Sequence, residues 1–245
     1  MLARRSAPAA FVYAPLVAIP KLYPAAAFCI SLREPTWKRR LTALAVLALS
    51  FGVYVFSQRN DLAKITSNTL KSTYNSFGAI VIFAMIRRAW FPDSDVAWRI
   101  LRIAAYAAAA GAVAAAFRIA RYTVCPPEAN RPALDSFRAG ASIYVAVFAV
   151  GYNWDYRLMF LLFTLPQLFA WVKAGTRWGL ISAGAVIVMV TALWISSWSP
   201  QMAALDELGN WMLFIYFLVG LLITTPQELF RYLQRGVWRG NRWLT

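Results

Sequence analysis

Histidine is absent from this chain of 245 residues, and cysteine occurs only twice. Without histidine there is no imidazole for acid–base catalysis, for haem ligation or for the usual zinc sites. Cys29 and Cys125 lie far apart and form no CxxC pair, so the sequence contains neither a disulfide framework nor a cysteine metal motif. We therefore expect no metal site and no cofactor.

Acidic residues are also scarce. Ten Asp and Glu residues face 25 Lys and Arg residues, and the net charge is +15. No acid lies in a Walker loop, a GxSxG or HExxH motif or a glycine-rich dinucleotide motif, so the sequence supports neither an ATPase, a serine hydrolase nor a zinc protease. The basic residues are dispersed at the ends of apolar blocks, which does not make a nucleic-acid-binding face. We expect no nucleic-acid partner.

Apolar residues are what the chain has in abundance. They make up 60% of it, and charged residues only 14%, whereas a soluble domain has about a quarter of its residues charged. The mean hydropathy is +0.53. The apolar blocks are roughly 15 to 21 residues long, which is the length of a helix that crosses about 30 Å of hydrocarbon. The sequence predicts an all-α, polytopic transmembrane helical bundle of about six or seven spans, with additional interfacial helices.

The apolar blocks set the predicted domain organisation. The predicted spans are residues 41–56, 70–86, 103–117, 139–154, 158–172, 178–198 and 211–224. The alanine-rich block 103–117 is expected to be a buried span, because small residues allow helices to pack closely in lipid. The five predicted segments are a basic interfacial or re-entrant segment (1–40), an N-terminal helical half (41–122), a proline-rich connection (123–138), a C-terminal four-span half (139–225) and a basic amphipathic tail (226–245).

Basic residues at the ends of apolar blocks predict both orientation and lipid contacts. By the positive-inside rule the arginine-rich tail is cytoplasmic, which places the turn at Asn153 and residues 199–210 outside. Seven arginines are predicted to contact anionic headgroups. They are Arg39, Arg40, Arg87, Arg88, Arg231, Arg235 and Arg239. The expected partners are membrane lipids, including anionic phospholipids, and other membrane protein subunits.

The turn at residues 151–157 carries the polar side chains with the strongest claim to a special role. Asn153, Asp155 and Arg157 lie between two apolar blocks, and Gln167 follows Pro166 in the second block. Charges are costly at membrane depth, so such a cluster either pins a turn or belongs to a functional site. The favoured interpretation is a structural clamp formed by Asn153, Asp155, Arg157 and Gln167. The alternative makes Asp155 a functional residue on the outer face, which binds a metal-bound lipid phosphate or acts as a base, and Asp61 is the other catalytic candidate.

Asp206 and Glu207 form a second acidic feature, in the stretch expected outside the membrane. The favoured interpretation is a solvated face of a short external helix, and the alternative is a functional pair.

Three stretches resemble a known family. They are residues 136–144 (SFRAGASIY), 151–167 (GYNWDYRLMFLLFTLPQ) and 205–211 (LDELGNW). Over roughly residues 120–230 the chain looks like the C-terminal membrane half of bacterial GT-C-type, polyprenyl-phosphate-dependent glycosyltransferase-like proteins. The resemblance implies a bacterial inner membrane location and transfer of a lipid-linked sugar. It also implies an aspartate in the first external loop, where this chain has Asp61.

Two functions follow from these observations. The favoured one is a non-catalytic structural or accessory subunit of a larger membrane complex. The alternative is a lipid-linked sugar transferase of the GT-C type, or a fragment of one. A small transporter ranks third, because paired intramembrane charges and inverted repeats are not evident in the sequence.

Overall fold

The structure is a computed structural model that describes residues 76–123 and 131–224, together with isolated residues between Thr42 and Asn60, which are helical. For residues 154–157, 196–198 and 200 the description is confined to the backbone. Several predictions lie outside the described residues: the segment 1–40, the tail, Asp61, Arg39, Arg40, Arg231, Arg235 and Arg239.

Helices dominate the described chain, which confirms the all-α class. In chain order the elements are β1 (Ser76–Phe77), α1 (Val81–Trp90), α2 (Asp95–Tyr122), α3 (Arg131–Val150), β2 (Asn153–Trp154), a 3₁₀ helix (Asp155–Thr164), α4 (Leu165–Lys173), α5 (Arg177–Trp198), a 3₁₀ turn (Pro200–Met202) and α6 (Ala203–Thr224). Four of them are long and apolar enough to cross a membrane: α2, α3, α5 over Arg177–Ile195, and α6. These four helices indicate that the chain is a membrane protein.

The predicted span at residues 70–86 is wrong in its described part. Ser76 and Phe77 form β1, and the chain then turns through Gly78 before α1 begins at Val81. With ten residues, α1 is about 15 Å long, half of the hydrocarbon thickness. The apolar stretch predicts a membrane-length helix here, but the turn at Gly78 delays the start of the helix and shortens it.

The predicted span at residues 158–172 has an unexpected backbone. A 3₁₀ helix covers Asp155–Thr164, and α4 continues with Pro166 in its first turn. Proline fits there because the first N–H groups of a helix have no partner within the helix. α3 likewise begins with Arg131-Pro132, inside the predicted connection 123–138.

α6 lies at the centre of the described bundle, in contact with α2, α3 and α5, and α3 also packs against the 3₁₀ helix and α4. Within the apolar stretches of α3 and α6, 56% of the residues are buried, against 33% for α5 and 22% for α2. α3 and α6 are therefore the inner pair. Residues 103–117 do lie in a membrane-length helix, as predicted, but the predicted burial is wrong among the described residues, because only one face of α2 packs on α6.

Small residues bring the backbones together. The buried face of α2 consists of alanines, namely Ala105, Ala109, Ala112, Ala116 and Ala120. In α3, a Cβ added at Gly140 would lie 2.6 Å from the Phe160 carbonyl oxygen of the 3₁₀ helix. Only glycine permits this approach, so α3 and the 3₁₀ helix touch backbone to backbone.

The bundle has two distinct ends. At one end β1 and β2 pair antiparallel, with Ser76 opposite Trp154 and Phe77 opposite Asn153. We call this the β end. At the opposite end the guanidinium of Arg138 donates a hydrogen bond to the carbonyl oxygen of Thr224, the last residue of α6. α3 and α6 therefore run antiparallel between the two ends.

Candidate functional site

Asp206 and Glu207 are buried in the first turns of α6, with exposed fractions of only 4% and 1%. The prediction of a solvated helix face is wrong. α6 begins at Ala203 and runs through Gly209, so the two acids belong to the membrane-length helix and not to a separate external one. A signal for this was present in the sequence: Asp206, Asn210, Leu213 and Phe217 recur at helical spacing and continue the inner face of α6.

Glu207 holds the turn that precedes α1. Its Oε1 accepts a hydrogen bond from the backbone N–H of Gly78 at 3.2 Å, in a buried position. Next to it, the N–H of Ala79 donates to the Phe148 carbonyl oxygen of α3 at 2.9 Å. The turn is thus tied to both inner helices, by a carboxylate from α6 and by a carbonyl from α3.

Gly78 and Gly151 meet at this point. Gly78 has φ +139°, and a Cβ on it would lie 1.6 Å from the carbonyl oxygen of Gly151, which itself has φ +127°. A positive φ with no room for a side chain is available to glycine alone. The sequence shows the two glycines but not their meeting, since 73 positions separate Gly78 from Gly151.

A second buried chain of polar groups joins α3 to α6. The Tyr144 hydroxyl donates to the Asn210 backbone oxygen at 2.8 Å and approaches its Oδ1 at 3.2 Å. The amide nitrogen of Asn210 donates to the Asp206 backbone oxygen at 3.2 Å. Tyr144, Asp206, Glu207 and Asn210, together with the Gly78 N–H, form what we call the buried polar cluster.

The structure places one of the four predicted clamp residues in a clear structural role. Asn153 is buried, and its amide nitrogen donates to the Gly151 and Val147 carbonyl oxygens, so it closes the C-terminal end of α3. The side chains of Asp155 and Arg157 lie outside the described residues. Their pairing, and the alternative catalytic role of Asp155, stay predictions.

Gln167 is not brought to that turn. It lies on the buried face of α4 with Thr164, Leu168 and Trp171, and its exposed fraction is 0%. Neither amide atom has a hydrogen-bond partner among the described residues. A buried amide without a partner costs about 1–3 kcal/mol. The predicted clamp role of Gln167 stays a prediction.

The two described headgroup candidates lie at the end of α1. Arg87 is 3.7 Å from the Asp95 carboxylate, and its guanidinium carbon is 5.2 Å from the ring centre of Trp98. Burial raises the pKa of the Tyr152 phenol, and the positive charge of Arg87 partly opposes that rise. Arg88 is exposed.

The described contacts of the buried polar cluster are hydrogen bonds within the fold. Oε1 of Glu207 accepts the Gly78 N–H, and the Asn210 side-chain nitrogen lies 3.5 Å from Oδ1 of Asp206. In the ranges 76–123 and 131–224, no three His, Cys, Asp or Glu side chains are grouped so that they could hold a metal ion.

No protein-family model, curated protein or solved structure matches the chain. The resemblance to GT-C-type transferases therefore stays a prediction.

Proposed function

We propose that the protein is a non-catalytic structural or accessory subunit of a larger complex in the bacterial inner membrane. The observation that carries the proposal is the surface of α2, a membrane-length helix that buries only 22% of its apolar stretch within the chain. The outward side of α2 must contact something outside the chain, and its residue types suit contact with a helix of another protein.

The outward side of α2 includes a face of small residues. It is centred on Gly111 and, at 100° per residue, lies about 140° from the buried alanines. Its members are exposed: Ala107, Ala108, Gly111, Ala114 and Ala115. We call it the small-residue face. Lipid tails pack equally well on large side chains, whereas small side chains let a second helix approach closely. This face therefore supports contact with a helix of a partner subunit.

The contact made by a buried acid also supports a structural role. The Glu207 carboxylate accepts the Gly78 N–H, whereas the Asn210 side chain donates to the backbone oxygen of Asp206 within α6. The Glu207 contact holds the turn before α1 against α6, as expected of a scaffold.

The proposal includes six membrane crossings, with both termini inside. They are the predicted span 41–56, α2, α3, residues 155–173, α5 and α6. A 3₁₀ helix rises about 2.0 Å per residue, so Asp155–Thr164 and α4 together extend about 33 Å, enough for a crossing. α1 is not included because its ten residues make it too short to cross.

Cysteine labelling in intact cells tests this topology. With Cys29 replaced by serine, Cys125 between α2 and α3 should react only with a membrane-permeant maleimide. In a cysteine-free background, Asp93→Cys in the loop between α1 and α2 should also react with an impermeant one. If α1 crosses the membrane, Asp93→Cys will be protected from the impermeant reagent and the six-crossing topology is wrong.

Gly111→Leu tests the subunit role. No atom of the described residues lies within 4 Å of a Cβ at Gly111, so we expect leucine to leave the fold of the chain intact while it blocks close approach of a partner helix. We expect the full-length protein, extracted in mild detergent, to run in a large complex, and Gly111→Leu to lower the fraction in that complex at least tenfold. Native gels and size-exclusion chromatography measure it.

Gly184→Leu is the matched control. Gly184 lies in α5 and is exposed, and in the described part of the chain nothing lies within 4 Å of its Cβ position either, so both variants add the same side chain to an open site. It should leave the complex unchanged. Wild-type protein that runs alone and binds polyprenyl phosphate would overturn the proposal in favour of the transferase.

A further inference from the structure

Positive charge is concentrated where α1 ends and α2 begins. Residues 87–102 contain Arg87, Arg88, Arg99 and Arg102. Against these four arginines the same stretch has two acids, Asp93 and Asp95. Arg87 and Asp95 form an ion pair at 3.7 Å, and the Asp95 side chain is 89% exposed, so it screens the arginines only weakly.

Trp98 holds two of the arginines together although they come from different helices. The guanidinium carbon of Arg87, in α1, is 5.2 Å from the ring centre, and that of Arg102, in α2, is 6.0 Å from it. Cation–π contacts at these distances orient a guanidinium while leaving its N–H groups available. The Nε of Arg87 is buried and has no hydrogen-bond partner among the described residues.

The surroundings of these arginines are apolar and exposed. Trp90 is 75% exposed and Ile103 is 70% exposed, and Phe91, Val96 and Ile100 are exposed as well. Basic side chains next to exposed aromatic and aliphatic ones, at the end of a membrane-length helix, are typical of the boundary between headgroups and acyl chains.

We propose that Arg102, which shares the Trp98 ring with Arg87, and the exposed Arg88 and Arg99 next to them in the chain bind the phosphate of an anionic phospholipid, with its acyl chains against Trp90 and Ile103. The apolar rim favours a lipid over free phosphate, and the excess of arginines over acids favours an anionic headgroup over a zwitterionic one. The site goes beyond the proposed subunit role, because it requires only that α2 spans the membrane and not that a protein covers the small-residue face.

The test measures phosphatidylglycerol binding to the full-length protein in detergent micelles, by native mass spectrometry over a lipid titration. The variant Arg99→Gln/Arg102→Gln should weaken binding roughly ten- to thirtyfold, because the loss of each arginine near an anionic headgroup lowers the affinity roughly three- to fivefold. The control Arg118→Gln/Arg121→Gln removes the same charge with the same spacing from the other end of α2, where both arginines are exposed. It should change binding less than twofold.

Three results would overturn the site. They are an equal loss in both variants, equal binding of phosphatidylcholine by the wild type, and displacement of the lipid by equimolar inorganic phosphate. Unfolding temperatures of both variants within about 2 °C of wild type show that the arginines are not needed for the fold. If Arg99→Gln/Arg102→Gln loses lipid binding but stays in the complex, the lipid site is separate from the proposed subunit function. The same holds if Gly111→Leu leaves the complex but keeps lipid binding.

Discussion

Gly78→Ala is expected to destabilise the protein by more than about 4 kcal/mol, which places it among the most damaging of single substitutions. The Cβ would stand 1.6 Å from the Gly151 carbonyl oxygen, and φ +139° is strained for any residue with a side chain. The oxygen belongs to a backbone that is held by α3 and β2, so it cannot move aside cheaply. Unfolding by SDS titration in mixed micelles, followed by circular dichroism, measures the loss.

Two other glycines provide matched controls for that substitution. Gly111 and Gly184 lie in helices, and among residues 76–123 and 131–224 nothing lies within 4 Å of a Cβ position on either. Alanine at either should stabilise the protein by about 0.5–1 kcal/mol, because it reduces the freedom of the unfolded chain. If Gly78→Ala unfolds within about 1 kcal/mol of wild type, then Gly78 does not lie against Gly151.

Glu207→Ala is expected to cost about 2–4 kcal/mol, because two losses add together. The substitution removes the acceptor of the Gly78 N–H and leaves that buried donor without a partner, which alone costs about 1–3 kcal/mol. The cavity left by a side chain that is only 1% exposed adds to the loss. The same SDS titration measures it, and proteolysis between α1 and α2 should become faster, because the turn before α1 is released.

Glu207→Gln separates the hydrogen bond from the charge. Glutamine keeps an oxygen for the Gly78 N–H and should cost about 1 kcal/mol, the difference between a charged and a neutral acceptor. Asp93→Ala is the control, since Asp93 is exposed and its loss should change stability by less than about 0.5 kcal/mol. A loss from Glu207→Ala no larger than that from Asp93→Ala would contradict the role given to Glu207.

Sequence signals predict the helices well where the signal is local. Ser94 stands at the start of an apolar helical block, as a helix cap should, and its hydroxyl accepts the Ala97 N–H at 3.1 Å. The apolar block 178–198 corresponds closely to α5, Arg177–Trp198. Both depend on neighbouring residues along the chain, which a sequence displays directly.

The candidate site was missed because its contacts are distant in sequence. Asp206 and Glu207 look solvent-exposed when Pro200 and Gly209 are taken as the two ends of the predicted short external helix. In the structure their helix continues past Gly209 to Thr224, and the two acids face inwards. The 3₁₀ backbone of Asp155–Thr164 is likewise set by packing on α3 at Gly140. Composition alone does not distinguish it from an α-helix.

The bond between Gly78 and Glu207 has a consequence for biosynthesis. Its partners are 129 positions apart, and a ribosome adds about 5–20 residues per second. The Gly78 N–H therefore waits roughly 6–26 s for its acceptor to be synthesised. We expect the β end to be the last part of the described bundle to close, and a ribosome stalled before α6 to leave Ser76–Gly78 open to proteases while α2 and α3 are already inserted.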